Sequence, residues 1–281
     1  MAENRECASA SSCGRESCEG CPSKAGGAKP DFHIDLNAYS RIDHVIGIVS
    51  GKGGVGKSLV CASLANRMAA KGYRVGILDA DITGPSIPRM YGLTEPAAAD
   101  ENGIYPALTE NDIKVISLNL LMQDPEQAVV WRGPVIAGVV KQFWTDVVWG
   151  ELDYLFVDMP PGTGDVPLTV FQSLPVEGIF VVTSPQELVG MIVKKAWHMA
   201  ALMDIPVLGV IENYSWLECP DCGKKIPVFG ESRVNEAAAS LQLPVAGQIP
   251  MKAEFSQAAD AGKFGSVQNP YLDAAVELIL S

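Results

Sequence analysis

His44-Val-Ile-Gly-Ile-Val-Ser50 running into Gly51-Lys-Gly-Gly-Val-Gly-Lys-Ser58 is the stretch that decides the fold. The first seven residues, mostly apolar and rich in β-branched side chains, read as a strand buried on both faces. The next eight match G-x-x-x-x-G-K-[ST], and Lys57 opens a helical pattern that lasts until Gly72. The loop's residue types have a chemical reason. Gly51, Gly53, Gly54 and Gly56, with Val55 among them, let backbone N–H groups converge on phosphate oxygens, and the helix N-terminus adds the positive end of its dipole. Lys57 is expected to reach the β- and γ-phosphates, and the Ser58 hydroxyl to ligate Mg²⁺. Lys52 is a second cation at the head of the loop. It is poorly placed to share the phosphates of Lys57 within one chain, and better placed to reach a nucleotide held by a facing subunit.

Outward from the loop, short apolar runs alternate with helical stretches. Further strands are expected at 74–79, 113–118, 154–158, 178–183, 207–211 and 244–249, and helices at 134–148, 187–203, 232–241 and 271–280. This alternation predicts an α/β chain of the P-loop NTPase type, a mostly parallel sheet with helices on both faces. In such sheets ligands sit outside the carboxyl ends of the strands. Two strands end there in carboxylates, in Ile77-Leu-Asp-Ala-Asp81 and Leu155-Phe-Val-Asp158. Asp158 is expected to hold Mg²⁺ directly or through water, Asp79 to support the metal's surroundings, and Asp81 to position or deprotonate the attacking water. Asn213 follows another strand and suits an adenine edge. An Asn-Lys-x-Asp guanine signature is missing, which favours ATP.

Composition sets the class of partner. Of 281 residues 48% are apolar, and 21 basic against 33 acidic side chains give a net charge of −12. That balance is wrong for a general nucleic-acid binder, which needs a basic face. No apolar run approaches the roughly 18 residues of a membrane span, and the first 21 residues lack the apolar core of a signal peptide. The expectation is a cytoplasmic protein in which structural disulfides are rare. Six of its seven cysteines are clustered: Cys7, Cys13, Cys18 and Cys21, then Cys219-Pro-Asp-Cys222. Clustered thiols in a reducing compartment read first as metal ligands. The Cys219/Cys222 pair supplies two of four ligands, so the rest must come from a second subunit across a two-fold axis or from the N-terminal cysteines. The four N-terminal thiols suffice for one site, zinc or iron–sulfur. Residues 1–40, poor in large apolar side chains before Phe32, form a cysteine-containing flexible tail in this reading. Residues 41–281 then form the ATPase domain. Cys61 stands alone in an apolar helical stretch and reads as core.

With its two lysines, Gly51–Ser58 resembles the deviant loop of the septum-positioning, arsenite-pump and nitrogenase iron-protein ATPases. Asp79-Ala-Asp-Ile-Thr-Gly-Pro-Ser86, Val157-Asp-Met-Pro-Pro-Gly-Thr-Gly-Asp165, Ser184-Pro-Gln186, Ile211-Glu-Asn-Tyr-Ser215 and the Cys219/Cys222 pair narrow the resemblance to the Mrp/Nbp group of iron–sulfur cluster carrier ATPases. It implies a homodimer that binds ATP in each subunit and hydrolyses it slowly. It also implies a labile [4Fe–4S] cluster bridged by Cys219 and Cys222 of both subunits and passed to apo-protein clients. Two other readings compete: a zinc-stabilised ATPase that positions protein or DNA cargo, and an ATP-driven electron donor. The C-terminal residues 270–281 carry no lysine or arginine, which disfavours membrane positioning.

Overall fold

Strands that are apolar on both faces need cover on both sides, and the computed structural model shows how the chain supplies it. It describes residues 34–81, 84, 86–122, 133–162, 164–185 and 189–281. The order is β1 (Arg41–Ser50), α1 (Lys57–Ala70), β2 (Val75–Asp79), α2 (Ile87–Met90), β3 (Ala99–Asp100), β4 (Gly103–Ile104), β5 (Ala107–Leu108) and β6 (Lys114–Ser117). There follow α3 (Gly133–Thr145), β7 (Glu151–Asp158), α4 (Asp165–Ser173), β8 (Gly178–Thr183), α5 (Val189–Leu202) and β9 (Val207–Glu218). The chain ends with β10 (Lys225–Ile226), α6 (Val234–Ala239), β11 (Val245–Met251), α7 (Ala253–Asp260) and α8 (Asp273–Leu280). The main sheet has the order β10-β9-β8-β1-β7-β2-β6-β5, with β11 paired to β9. All its pairings are parallel except those of the short strands β5 and β10.

Side chains alternate between two cores, as the pleat requires. Val45, Val49, Leu155, Val157, Ile179 and Val181 enter one, under residues of α3, α4, α5 and α6. Ile46, Ile48, Tyr154, Phe156, Phe180 and Val182 enter the other, with Val60, Leu64 and Met68 of α1 and Val276 of α8. This layering matches the α/β expectation. Register brings the carboxyl ends of three strands together, because Ile48 pairs with Asp158 and Asp158 with Asp79.

Several features depart from the sequence reading. Helix α4 has no counterpart among the expected helices; its Pro167 sits in the first turn, where an absent N–H costs nothing. Helix α7 carries a single large apolar residue, Phe255, and so leaves little periodic trace. Strand β9 runs to Glu218 rather than stopping at the polar Glu212-Asn213 step, since both side chains are buried and hydrogen-bonded. At the amino end, residues 34–40 fall inside the expected tail but lie on the body. Ile34 N–H donates to the Ser173 carbonyl (3.1 Å) and Trp144 Nε1 donates to the Ile34 carbonyl (3.0 Å). The four cysteines of the tail lie outside the described residues.

The helix that follows the loop is locked at its far end by Asn66, fully buried in α1. Its Nδ2 donates to the carbonyls of Phe264 (2.7 Å) and Val267 (3.1 Å), and its Oδ1 accepts from Tyr91 Oη (2.8 Å) and Asn111 Nδ2 (3.1 Å). Removing it takes one bond from each of four partners, of which the Phe264 carbonyl keeps the Val267 N–H and Tyr91 Oη keeps the Ala62 carbonyl. Asn66→Ala is expected to lower stability by about 2–4 kcal/mol, read as a lower urea midpoint at unchanged slope.

Candidate functional site

The loop's shape follows from its glycines. Gly54 and Gly56 adopt φ of +76° and +79°, and Gly56 is the N-cap of α1 without any side-chain cap, so the first helical N–H groups stay available for an anion. A Cβ at Gly56 would lie 2.1 Å from Asn213 Nδ2, so only glycine fits there. The loop borders a cavity of about 420 Å³ lined by Ser50, residues 52–58, Asp81, Ser86, Pro161, Tyr214, Ser256 and Asp260, among others. Lys52 lies on this lining; its backbone carbonyl accepts from Ser50 Oγ (3.0 Å).

Behind the loop, Lys57 is only 6% exposed and reaches Asp158 Oδ1 at 2.6 Å and Asp81 Oδ2 at 3.6 Å. Ser58 Oγ donates to Asp158 Oδ2 at 2.5 Å. Asp79, fully buried, accepts from Ser117 Oγ (3.2 Å) and from the Asp81 N–H (3.2 Å). Burial alone would lower the Lys57 ammonium, yet Asp158, with Asp81 and Asp79, holds it above its ordinary value. Burial and then the Asp158 charge push the Asp79 carboxyl well up; burial also raises Asp158, which Lys57 partly offsets. The site is thus a lysine, a hydroxyl and three carboxyls, all hard oxygen or nitrogen groups. That donor set fits Mg²⁺, which takes a hydroxyl and one or two carboxylates alongside phosphate oxygens rather than a protein cage.

Asn213 is placed differently from an adenine contact. It is 1% exposed, its Nδ2 donates to the Val55 carbonyl (3.0 Å) and its Oδ1 accepts from the Tyr214 N–H (3.0 Å). Its amide is turned into the loop as a brace. Tyr214, Ser256 and Asp260 line the cavity instead; Tyr214 lies within the Ile211–Ser215 motif, whereas Ser256 and Asp260 on the short helix α7 have no motif around them.

The cysteine pair sits just beyond β9. Cys219 N–H donates to the Lys224 carbonyl (3.0 Å) and Gly223 N–H to the Cys219 carbonyl (2.9 Å), with Gly223 at φ +69° closing a tight knuckle. Cys222 is exposed and Cys219 half-buried. Backbone N–H groups of Cys222 and Asp221, then the Cys222 side chain, hold the Cys219 thiol below its ordinary value. Lys225 Nζ lies 4.0 Å from the centre of the Trp216 ring and ties β10 to β9. Leu217, Ile226, Val228 and Phe229, each at least 40% exposed, surround the knuckle in sequence. Among the described residues no further His, Cys, Asp or Glu joins this pair in a group able to hold a metal. Cys61 belongs to the core, and burial pushes its thiol well up.

A carboxyl whose proton is held more tightly in the folded than the unfolded state weakens the fold as pH rises. Asp79 departs upward from an ordinary value of 3.8, so its own contribution to stability in EDTA should fall as pH climbs from about 4 towards its folded value. Asp79→Asn should flatten that slope and raise the thermal midpoint at pH 7, measured by calorimetry in EDTA. A lower midpoint would contradict this account of the buried charges.

Comparison with known proteins identifies relatives over most of the chain. An iron–sulfur cluster carrier protein of Clostridium perfringens is 46% identical over 264 residues, covering 91% of this chain and 93% of that protein. One of Methanocaldococcus jannaschii is 45% identical over 255 residues, covering 87% of each. A nucleotide-binding protein of Archaeoglobus fulgidus, solved in complex with ADP and containing cobalt, superposes with a TM-score of 0.74 at 40% identity. That match covers 83% of this chain and 91% of the other. The cell-division protein MinD of Aquifex aeolicus shares the fold, with a TM-score of 0.56 at 20% identity, over 84% of this chain and 94% of its own. A family model described as ParA, NUBPL iron-transfer P-loop NTPase, matches residues 41–279. With the phosphate loop, the strand-end carboxylates and the thiol knuckle all falling inside that match, this chain belongs to the NUBPL-type iron-transfer P-loop NTPase family.

Proposed function

We propose that this protein is an ATP-dependent carrier of iron–sulfur clusters, acting as a homodimer on apo-protein clients. The observation that carries the reading is a single strand, β9, that braces the phosphate loop through Asn213 and ends one residue before the first thiol of the Cys219/Cys222 pair. The homologues' name, iron–sulfur cluster carrier protein, supports the same cargo.

In this reading ATP lies on the N–H groups of residues 51–58, with Lys57 drawn from Asp158 towards the β- and γ-phosphates. Ser58, Asp158 and Asp79 would hold or surround Mg²⁺, whose charge would offset that of the phosphates. Asp81 orients the attacking water. Lys52 reaches the nucleotide of the facing subunit, so hydrolysis depends on dimer closure and is slow in the free chain. The cluster is cargo: two soft thiolates per chain make half of a four-thiolate [4Fe–4S] site, and two chains related by a two-fold axis complete it. The exposed apolar residues 217, 226, 228 and 229 suit burial around that shared centre. The tail thiols Cys7, Cys13, Cys18 and Cys21 could hold a second centre of their own, iron–sulfur or zinc by ligand number.

Anaerobic protein reconstituted with iron and sulfide is expected to hold about four of each per two chains beyond any held by the tail. The double variant Cys219→Ser/Cys222→Ser should lose that increment. Zinc bound stoichiometrically at this pair, with no sulfide after reconstitution, would overturn the carrier reading. Independently, Lys52→Ala should keep nucleotide affinity within about twofold while turnover drops by roughly 10³; unchanged turnover removes the role given to Lys52.

A further inference from the structure

Strand β9 touches both candidate sites, and a buried carboxyl that neither site uses stands where it changes course. Between the loop brace and the knuckle the strand bulges. Ile249 of β11 pairs with Asn213 and Met251 with Leu217, so two steps on β11 span four on β9. Tyr214, at φ +61°, is in the left-handed region inside the bulge. Glu212 holds this distortion in place. It is fully buried, and its Oε2 accepts from Ser215 Oγ (2.8 Å) and Gln248 Nε2 (3.2 Å). Its Oε1 accepts from Ser232 Oγ (2.9 Å). Ser232 lies where the chain returns from the cysteine excursion and enters α6, and its Oγ also accepts from Val234 N–H (3.3 Å). One carboxyl therefore fastens the departure of the excursion, its return and the neighbouring strand β11.

The next residue is Asn213, whose amide carries the Val55 carbonyl of the loop. A loop that reorganises around phosphates moves that carbonyl, and the amide bonded to it. With Glu212 clamped, such a displacement cannot be absorbed beside the brace and passes through the bulge to residues 215–232. We propose that Glu212, through Ser232 and Gln248, is a positioning residue that couples nucleotide occupancy of the loop to the conformation of the Cys219/Cys222 knuckle. The inference rests on the carrier reading and adds to it the route by which the two sites sense each other. A coupling of this kind is reciprocal: whatever factor one ligand imposes on the other's affinity is returned.

The test uses the full chain, with MgADP as one ligand and zinc as probe of the thiol pair. In the unmodified protein, zinc loading should change the MgADP dissociation constant by about fivefold or more, and MgADP should change zinc affinity by the same factor. The shift should vanish in Cys219→Ser/Cys222→Ser, which separates the knuckle from the N-terminal thiols. Ser232→Ala and Glu212→Gln should still bind each ligand alone, with the shift reduced below twofold. Ser232 is half-buried, so its truncation gives the answer even if the buried Glu212 variant does not fold. An undiminished shift in Ser232→Ala, a shift that survives loss of both cysteines, or binding of both ligands to the unmodified chain with no shift overturns the inference. Iron and sulfide content, measured separately as above, reports on the carrier reading itself, so the two failures are distinguishable.

Discussion

One ammonium group, on Lys57, organises the centre of this molecule. It lies between Asp158 and Asp81, with Asp79 on the next strand, in surroundings almost closed to water. Buried charges are costly unless paired, and three carboxyls around one lysine leave an excess of negative character. The chain meets that cost with the Ser58 hydroxyl, the Ser117 hydroxyl and the raised proton affinity of Asp79. Phosphates and a divalent cation would redistribute the same charges: the lysine turns to the phosphates, and the carboxylates gain a metal. This cluster of charges is fixed in the interior of the fold. Its position is dictated by the sheet, since Asp79 and Asp158 pair across parallel strands in register with the end of β1.

Much of this was legible in residues 44–58, because strand, loop and helix there carry independent chemical signs that agree. The strand-end aspartates were equally readable, since parallel sheets put ligands at those ends. What escaped reading was context-dependent. The Asn213 amide is equally suited by type to a base or to a carbonyl, and only packing against Gly56 shows that it braces the loop. Glu212 looks in sequence like the polar end of a strand; burial among two serines and a glutamine, one of the serines 20 residues away, makes it part of the interior. Helix α7 has too few apolar residues to announce itself, though it supplies Ser256 and Asp260 to the cavity.

The two sites use opposite kinds of chemistry, and the fold keeps them apart. Oxygen donors and an ammonium face the cavity at the loop, where a hard cation belongs. Thiols stand beyond the sheet on a knuckle whose N–H groups favour the deprotonated, soft ligand. Strand β9 is their shared support, paired with β8 from Val207 to Glu212 and bulged against β11 beyond Asn213.

The contrast among the described cysteines has a practical side. Cys61 is sealed in the core with its thiol proton held tightly, whereas Cys219 is half-open with its proton loosened. An electrophile in solution therefore meets an accessible thiol with a loosened proton at the knuckle and a closed one in helix α1. Fluorophores, spin labels or short bifunctional linkers can be attached where cargo would sit, while the interior that supports the phosphate loop stays chemically untouched.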